Sequence, residues 1–266
     1  MSNSYKDVMS RKSDIMKEAL GFDYDQFEVD GIGFDYEKMM KASGYTLSDV
    51  RSIQVDQNVG QTPLVELKRL SAYARKFAPE GYGARIFLKD EASNISGSFK
   101  ARRAAMSIHQ AKKLGYKGVV AATSGNYGAA VAALAAKAGL KCIIVQECYD
   151  SDGIGQPEII EKARACEAYG AEVIQLSVGP ELFYEFLKIL EETKYFNASL
   201  YSPYGIMGIE TLGYEIASEI KKREGKFPDM VICTNAGGGN LTGTARGLLK
   251  AKSIETKVVA ASVDLS

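Results

Sequence analysis

Three short runs in this 266-residue sequence put chemically useful groups where an apolar segment gives way to a helical pattern. The first is Ser96-Gly97-Ser98-Phe99-Lys100. A lysine in the first turn of a helix is repelled by the positive end of the helix dipole. The same repulsion favours the neutral amine needed to form an imine. Most lysines are solvated surface residues, and the Ser/Gly loop leading into this one sets it apart. The second run is Thr123-Ser124-Gly125-Asn126-Tyr127-Gly128. Its hydroxyls, amide and free N–H groups suit a carboxylate, and Asn126 can also donate to a phenolate-type oxygen lying over the site. A plain helix cap is the simpler alternative.

The third run, Asn235-Ala-Gly-Gly-Gly-Asn240, makes a phosphate cradle. Free backbone N–H groups and the positive helix end converge there, and glycine lets the backbone approach the anion closely. A dinucleotide site is the rival reading, since Gly237, Gly239 and Gly243 nearly follow the fingerprint and Asp264 lies ~20 residues on. Against it, the spacing is GxGxxxG, and a dehydrogenase leaves the other two runs unexplained.

Helix geometry sorts the neighbours of Lys100 at about 100° per residue. Ala104 and Ile108 share its side, whereas Arg102 lies about 200° and His109 about 180° round. Arg102 is read as a structural ion-pair partner, and His109, the single histidine, as structural. A histidine-rich metal site is thereby excluded. The four cysteines show no CxxC spacing, so neither a disulfide framework nor a zinc site is indicated. Cys142 and Cys233 fall in apolar strands and Cys166 in a helix; Cys148 falls in a loop and is the one candidate for reactivity. An incidental or structural role is expected for all four.

Lys+Arg and Asp+Glu both total 33, so no net field points to nucleic acid or an anionic membrane. The longest apolar stretches, such as 129–136, are too short and too Ala-rich to span a bilayer, and the charged N-terminus lacks a signal-peptide core. A cytoplasmic enzyme acting on small molecules is expected.

A scaffold has to hold the three runs together. Residues 1–58 read as a charge-rich helical extension carrying Phe22, Tyr24, Phe27, Phe34 and Tyr36, expected as a strap across the domain surface rather than a subunit contact. From Gln61 onward, apolar strands alternate with helices, the signature of an α/β fold whose parallel sheet is covered on both faces. Strands are expected in GARIFLKDEA, KGVVAATSGN, KCIIVQ, AEVIQLS, DMVICTNAGGGN and KVVAASVDL. Helices are expected in SFKARRAAMSIHQAKKLG (Ser98 as N-cap, Gly115 as stop), YGAAVAALAAKAGL, PEIIEKARACEAYG, PELFYEFLKILEET, IETLGYEIASEIKKREG and LTGTARGLLKAK. Ligands of such sheets bind beyond the carboxyl ends of the strands, where all three runs fall. Ending at Ser266 directly after a strand reads as a shortened chain, or one that a partner completes.

Together SGSFKAR, TSGNYG and NAGGGN resemble the fold-type II pyridoxal-phosphate enzymes, the group of threonine synthase and tryptophan synthase β, over residues 59 to 266. The resemblance implies two three-layer subdomains with parallel sheets, incomplete at the C-terminus. Residues 59–105 and 205–266 would belong to the large cofactor domain and 106–204 to a small α/β domain. It also implies that Lys100 holds pyridoxal 5'-phosphate as a Schiff base and acts as the catalytic base, with Asn126 on its 3′-oxygen. Gly237, Gly238, Gly239, Asn240 and Leu241 would take the phosphate, and Thr123, Ser124 and Gly125 the substrate carboxylate.

GARIFLKDEASNISGSFKARRAA, ATSGNYGAAVAA, CIIVQECYDSDGIGQPEIIEKARACEAYGAEVIQLSVGPELFY and NAGGGNLTGTARGL are similar to the larger, cofactor-binding subunit of the 2-amino-4-oxopentanoate thiolase family. That resemblance implies cleavage of 2-amino-4-oxopentanoate by coenzyme A to acetyl-CoA and alanine, in ornithine degradation, with a small second subunit. No catalytic Cys or His is needed to hold the acyl group. Members of the family continue past this C-terminus through the segment that faces the pyridine nitrogen. A threonine-synthase-like β- or γ-replacing enzyme, or an inactive shortened chain, is the alternative.

Overall fold

The computed structural model describes residues 4–30, 33–123, 125–199 and 202–263. The N-terminal region folds as helices α1 (Tyr5–Ser10) and α2 (Lys12–Leu20), a short antiparallel pair β1 (Glu28–Val29) and β2 (Gly33–Phe34), then α3 (Tyr36–Ala42) and α4 (Leu47–Asp56). Local chemistry fixes the helix starts. Ser4 and Asp35 accept from the first free N–H groups of α1 and α3, and Thr46 with Asp49 closes a capping box on α4. The aromatic run lies on the main core: Tyr24 is buried, and Phe22, Phe27, Phe34 and Tyr36 pack partly buried against it. The β1–β2 pair is invisible as a pattern, because two-residue strands have no periodicity to read.

The remainder alternates as expected. In order come β3 (Leu64–Glu66), α5 (Lys68–Arg75), β4 (Phe87–Lys89), α6 (Lys100–Lys113), β5 (Gly118–Thr123), α7 (Asn126–Ala138), β6 (Lys141–Tyr149) and α8 (Pro157–Ala168). They are followed by β7 (Glu172–Ser177), α9 (Glu181–Thr193), β8 (Phe196–Asn197), α10 (Tyr204–Glu224), β9 (Met230–Thr234), α11 (Gly239–Lys250) and β10 (Lys257–Ala261). Strands β7-β6-β5-β8 form one parallel sheet, and β9 and β10 pair in parallel. One pair departs from the expected parallel order: β3 runs antiparallel to β4.

The main core fills the space between the four-stranded sheet and its helices, with Val119, Val120, Ile144, Val131, Phe186 and Phe196 essentially shut from solvent. Helix α7 is apolar all round and buries every residue from Tyr127 to Ala135, as a helix between sheet and neighbouring helix must. Helix α10 is the spine of the second half, packed on α6 along one side and α11 along the other. Backbones touch there: a Cβ on Gly208 would overlap the Arg102 carbonyl, and one on Gly213 the Thr244 carbonyl. The sequence pattern starts α10 near Ile209, but the helix begins at Tyr204, because Pro203 fixes the entry and glycines carry no hydrophobic signal.

Arg102 occupies a fully buried position as an ion-pair partner, in agreement with its reading from sequence. Its guanidinium donates to Glu91 at 2.7 and 2.8 Å and to Glu215 at 2.9 and 2.8 Å. Thr211 and Thr62 take further N–H bonds, and Lys89 meets Glu215 at 3.1 Å. This network ties the loop after β4 to α6 and α10, so the helix bearing Lys100 is held at its base.

Candidate active site

Helix α6 begins at Lys100 itself, with Phe99 as N-cap and no side-chain cap. Ser98 therefore does not cap the helix as expected. A tight turn over 96–99 lifts the Ser98 hydroxyl off the helix N–H groups, and the Ser96 and Ser98 oxygens are buried without a hydrogen-bond partner among the described residues. Two orphaned hydroxyls beside a reactive amine are costly in an empty interior and suit a polar ligand.

The Lys100 amine is half-buried and lies 4.7 Å from the Phe99 ring centre. Among the described residues no carboxylate pairs with it. Burial, and then the neighbouring Arg103 guanidinium, pushes its pKa below the usual lysine value. Both effects act towards the neutral, nucleophilic form.

Thr123 ends β5 and is half-buried; its hydroxyl accepts from the Gly125 N–H at 3.3 Å. Helix α7 follows from a Gly125 N-cap with no side-chain cap, and Asn126 is exposed at its start. Ser124 lies outside the described residues, as does Asp264 of the dinucleotide alternative.

Gly238 takes the left-handed conformation (φ 81°) as N-cap of α11, again with no side-chain cap. Cβ atoms built on Gly237 or Gly239 would meet nothing within 4 Å, so the loop faces open space. Asn240 spends its amide on the Thr234 carbonyl and hydroxyl, at 3.2 and 3.1 Å, which leaves its backbone N–H for an anion. Leu241 packs its side chain on the smaller core with Val231 and Leu248. Asn235 is tied to β10 through Ser262.

The N-terminal turns of four helices are neighbours. The Arg103 guanidinium of α6 lies 4.4 Å over the Tyr127 ring of α7, and a Cβ on Gly205 of α10 would come 2.7 Å from Arg103 Nε. Gly243 of α11 packs on Ile206 and Ile209 of α10. None of the four starts has a side-chain cap. Their uncapped N–H groups and dipole ends combine into a field suited to anions. Sequence reasoning misses Arg103, because it weighs only Arg102 of the pair; two successive arginines in the first turn are the available signal.

His109 is half-buried, edge-on to Tyr45 at 5.8 Å, with burial holding its pKa down, away from the four-helix site. Cys148 corrects the reading of it as a loop residue: it lies within β6 and is buried, because the strand runs three residues beyond its apolar segment. All four cysteines are free and buried. Among the described residues no cluster of metal-ligating side chains occurs, and no helix is long and apolar enough to cross a membrane.

Comparison with known proteins gives consistent findings. A family model described as "Pyridoxal-phosphate dependent enzyme" matches residues 55–266. The 2-amino-4-ketopentanoate thiolase beta subunit of Acetoanaerobium sticklandii is 68% identical over 262 residues, covering 98% of this chain and 56% of the relative. A protein of the same name from an unknown prokaryotic organism is 62% identical over 263 residues, with 99% and 56% covered. The chain thus spans about half the length of these relatives. Among solved structures, a bacterial-type threonine deaminase from T.th. superposes with a TM-score of 0.65 at 30% identity, covering 82% of this chain and 65% of that one. Maize serine racemase superposes with 0.64 at 26%, with 80% and 60% covered.

Proposed function

This chain belongs to the family of pyridoxal-phosphate-dependent enzymes, and we propose that it is the cofactor-holding part of a thiolase that cleaves 2-amino-4-oxopentanoate with coenzyme A. The products are acetyl-CoA and alanine, and the pathway is ornithine degradation. A small second subunit works beside it, in keeping with the name "beta subunit" carried by its relatives. A cytoplasmic site fits the four free, buried cysteines.

The residues fit pyridoxal phosphate. Two orphaned hydroxyls flank an amine that burial holds towards neutrality, and the glycine loop faces open space at an uncapped helix start. Lys100 would hold the aldehyde carbon, Asn126 the 3′-oxygen, and the N–H groups of Gly237 to Leu241 the phosphate. When bound, the cofactor supplies a conjugated ring that takes up negative charge from the substrate α-carbon.

The chain's own groups do the rest. Thr123, Ser124 and Gly125 receive the substrate carboxylate at the start of α7, orienting the α-carbon. Once released by the substrate amine, Lys100 Nζ takes the α-proton, which requires the neutral amine that burial and Arg103 favour. The four helix ends stabilise the anionic groups throughout. Acyl transfer to coenzyme A then needs no cysteine of this chain, which agrees with four buried thiols.

One observation carries the reading: a half-buried amine, with no carboxylate partner among the described residues, stands at the meeting of four uncapped helix starts. Two measurements test it. Borohydride should fix pyridoxal phosphate on Lys100, identified by peptide mass, with loss of the visible-edge absorbance; Lys100→Ala should abolish both. The full-length protein with its small subunit should release acetyl-CoA from 2-amino-4-oxopentanoate. No release there would refute the thiolase assignment while leaving the cofactor site standing.

A further inference from the structure

Arg103 makes an arrangement that neither cofactor attachment nor α-proton removal uses. Its guanidinium lies 4.4 Å over the Tyr127 ring and donates through Nη2 to the Ser199 carbonyl at 2.8 Å. Ser199 in turn donates its hydroxyl to the Ala122 carbonyl at 2.7 Å, next to Thr123 at the end of β5. The Tyr127 hydroxyl donates to the Ala198 carbonyl, so both anchors of the guanidinium are themselves fastened to one strand end. On the third side α10 makes room: a Cβ on Gly205 would lie 2.7 Å from Nε and 3.2 Å from Cγ. Among the described residues no carboxylate pairs with this half-buried cation.

Resting on the cofactor reading above, we propose that Arg103 is a positioning residue. It pins the first turn of α6, which carries Lys100, to the first turns of α7 and α10, and so sets the carboxylate-binding loop against the reacting amine. Arginine suits the task because its planar fork can stack on a ring and bond a carbonyl at once, while lysine offers only a point charge.

The test uses the protein loaded with pyridoxal phosphate, titrated with 2-amino-4-oxopentanoate and separately with alanine. The half-saturating concentration of the change in cofactor absorbance reads carboxylate placement; borohydride fixation on Lys100 reads attachment. Arg103→Ala should raise half-saturation about tenfold, the scale of one desolvated cation–π contact with a hydrogen bond. Fixation should persist. Gly205→Ala should do the same with the guanidinium intact, because the added methyl fills the space Nε occupies. The double variant should be no worse than either single one, since both break one contact. Arg103→Lys should recover part of the loss.

Unchanged half-saturation in Arg103→Ala, or losses that multiply in the double variant, would overturn the proposal. So would a defect in Arg103→Ala that Gly205→Ala does not share, which would make Arg103 a direct substrate ligand. Absence of fixed cofactor in the unsubstituted protein would sink the cofactor reading instead, a distinguishable outcome.

Discussion

Replacing Arg102 with methionine should destabilise the fold by about 3 kcal/mol at neutral pH. The substitution keeps most of the side-chain length and removes a fully buried guanidinium that bonds Glu91 and Glu215. Those two carboxylates are then left without their shared counter-ion, although Glu215 keeps Lys89 at 3.1 Å. Breaking one partner of a buried pair costs about 3–5 kcal/mol, because the remaining charge is uncompensated. A second route to the magnitude runs through Glu215. Burial pushes its pKa up, but the Arg102 hydrogen bonds and charge, with Lys89, outweigh it and bring the value from 4.5 down to about 2. At about 1.4 kcal/mol per unit this depression is worth about 3 kcal/mol, and Glu215 is too buried for solvent to screen it away. The raised pKa of Arg102 is the same interaction seen from the other side and adds nothing further.

The sign gives a sharper test than the size. A depressed folded-state pKa contributes stability that is complete above the unfolded value of 4.5 and disappears as pH falls towards 2. The gap between the unsubstituted chain and Arg102→Met should therefore be about 3 kcal/mol at pH 7 and shrink to about 1 kcal/mol by pH 3. Urea unfolding followed by far-UV circular dichroism at several pH values measures both. A gap under about 1 kcal/mol at pH 7, or one that stays constant with pH, would refute the reasoning.

Three further outcomes are expected. Gly208→Ala forces a methyl into the Arg102 carbonyl and should cost more than about 3 kcal/mol, whereas Gly237→Ala should leave the unfolding midpoint unchanged and weaken pyridoxal-phosphate binding; urea unfolding and cofactor titration separate the two. Burial pushes the Cys142 thiol up to about 12 and Cys166 up to about 11, so maleimide at pH 8 should label them slowly in the folded chain and rapidly in urea; fast labelling of either in the native state would contradict their burial. Because burial and Arg103 lower the Lys100 pKa, cofactor attachment should rise with pH around a midpoint below 10.5, and a midpoint at or above that value would show that the amine is not perturbed.

Much of the site is legible in the linear pattern. Lys100, Thr123 and the glycine run each sit where an apolar strand meets a helix pattern, and that local signature survives in β5–α7 and β9–α11 as read. Arg102 and His109 can be assigned from helix geometry alone, because 3.6 residues per turn fixes which faces they occupy. The misreadings share a cause. Ser98 as a cap, Cys148 in a loop and the start of α10 at Ile209 each depend on a boundary, and boundaries are set by contacts that periodicity does not encode.

Local propensity and pattern suffice for the alternation of strand and helix, the three ligand-edge loops and the amine among them. They do not say that the starts of α6, α7, α10 and α11 are neighbours, because residues 100 and 243 lie far apart in the chain and only packing joins them. Packing also separates Arg102 from Arg103, adjacent though they are: one is buried between two carboxylates, the other stacked on Tyr127. A helix rotates its side chains by about 100° per residue, so neighbours face different partners, and which partners those are is settled by how the helices pack.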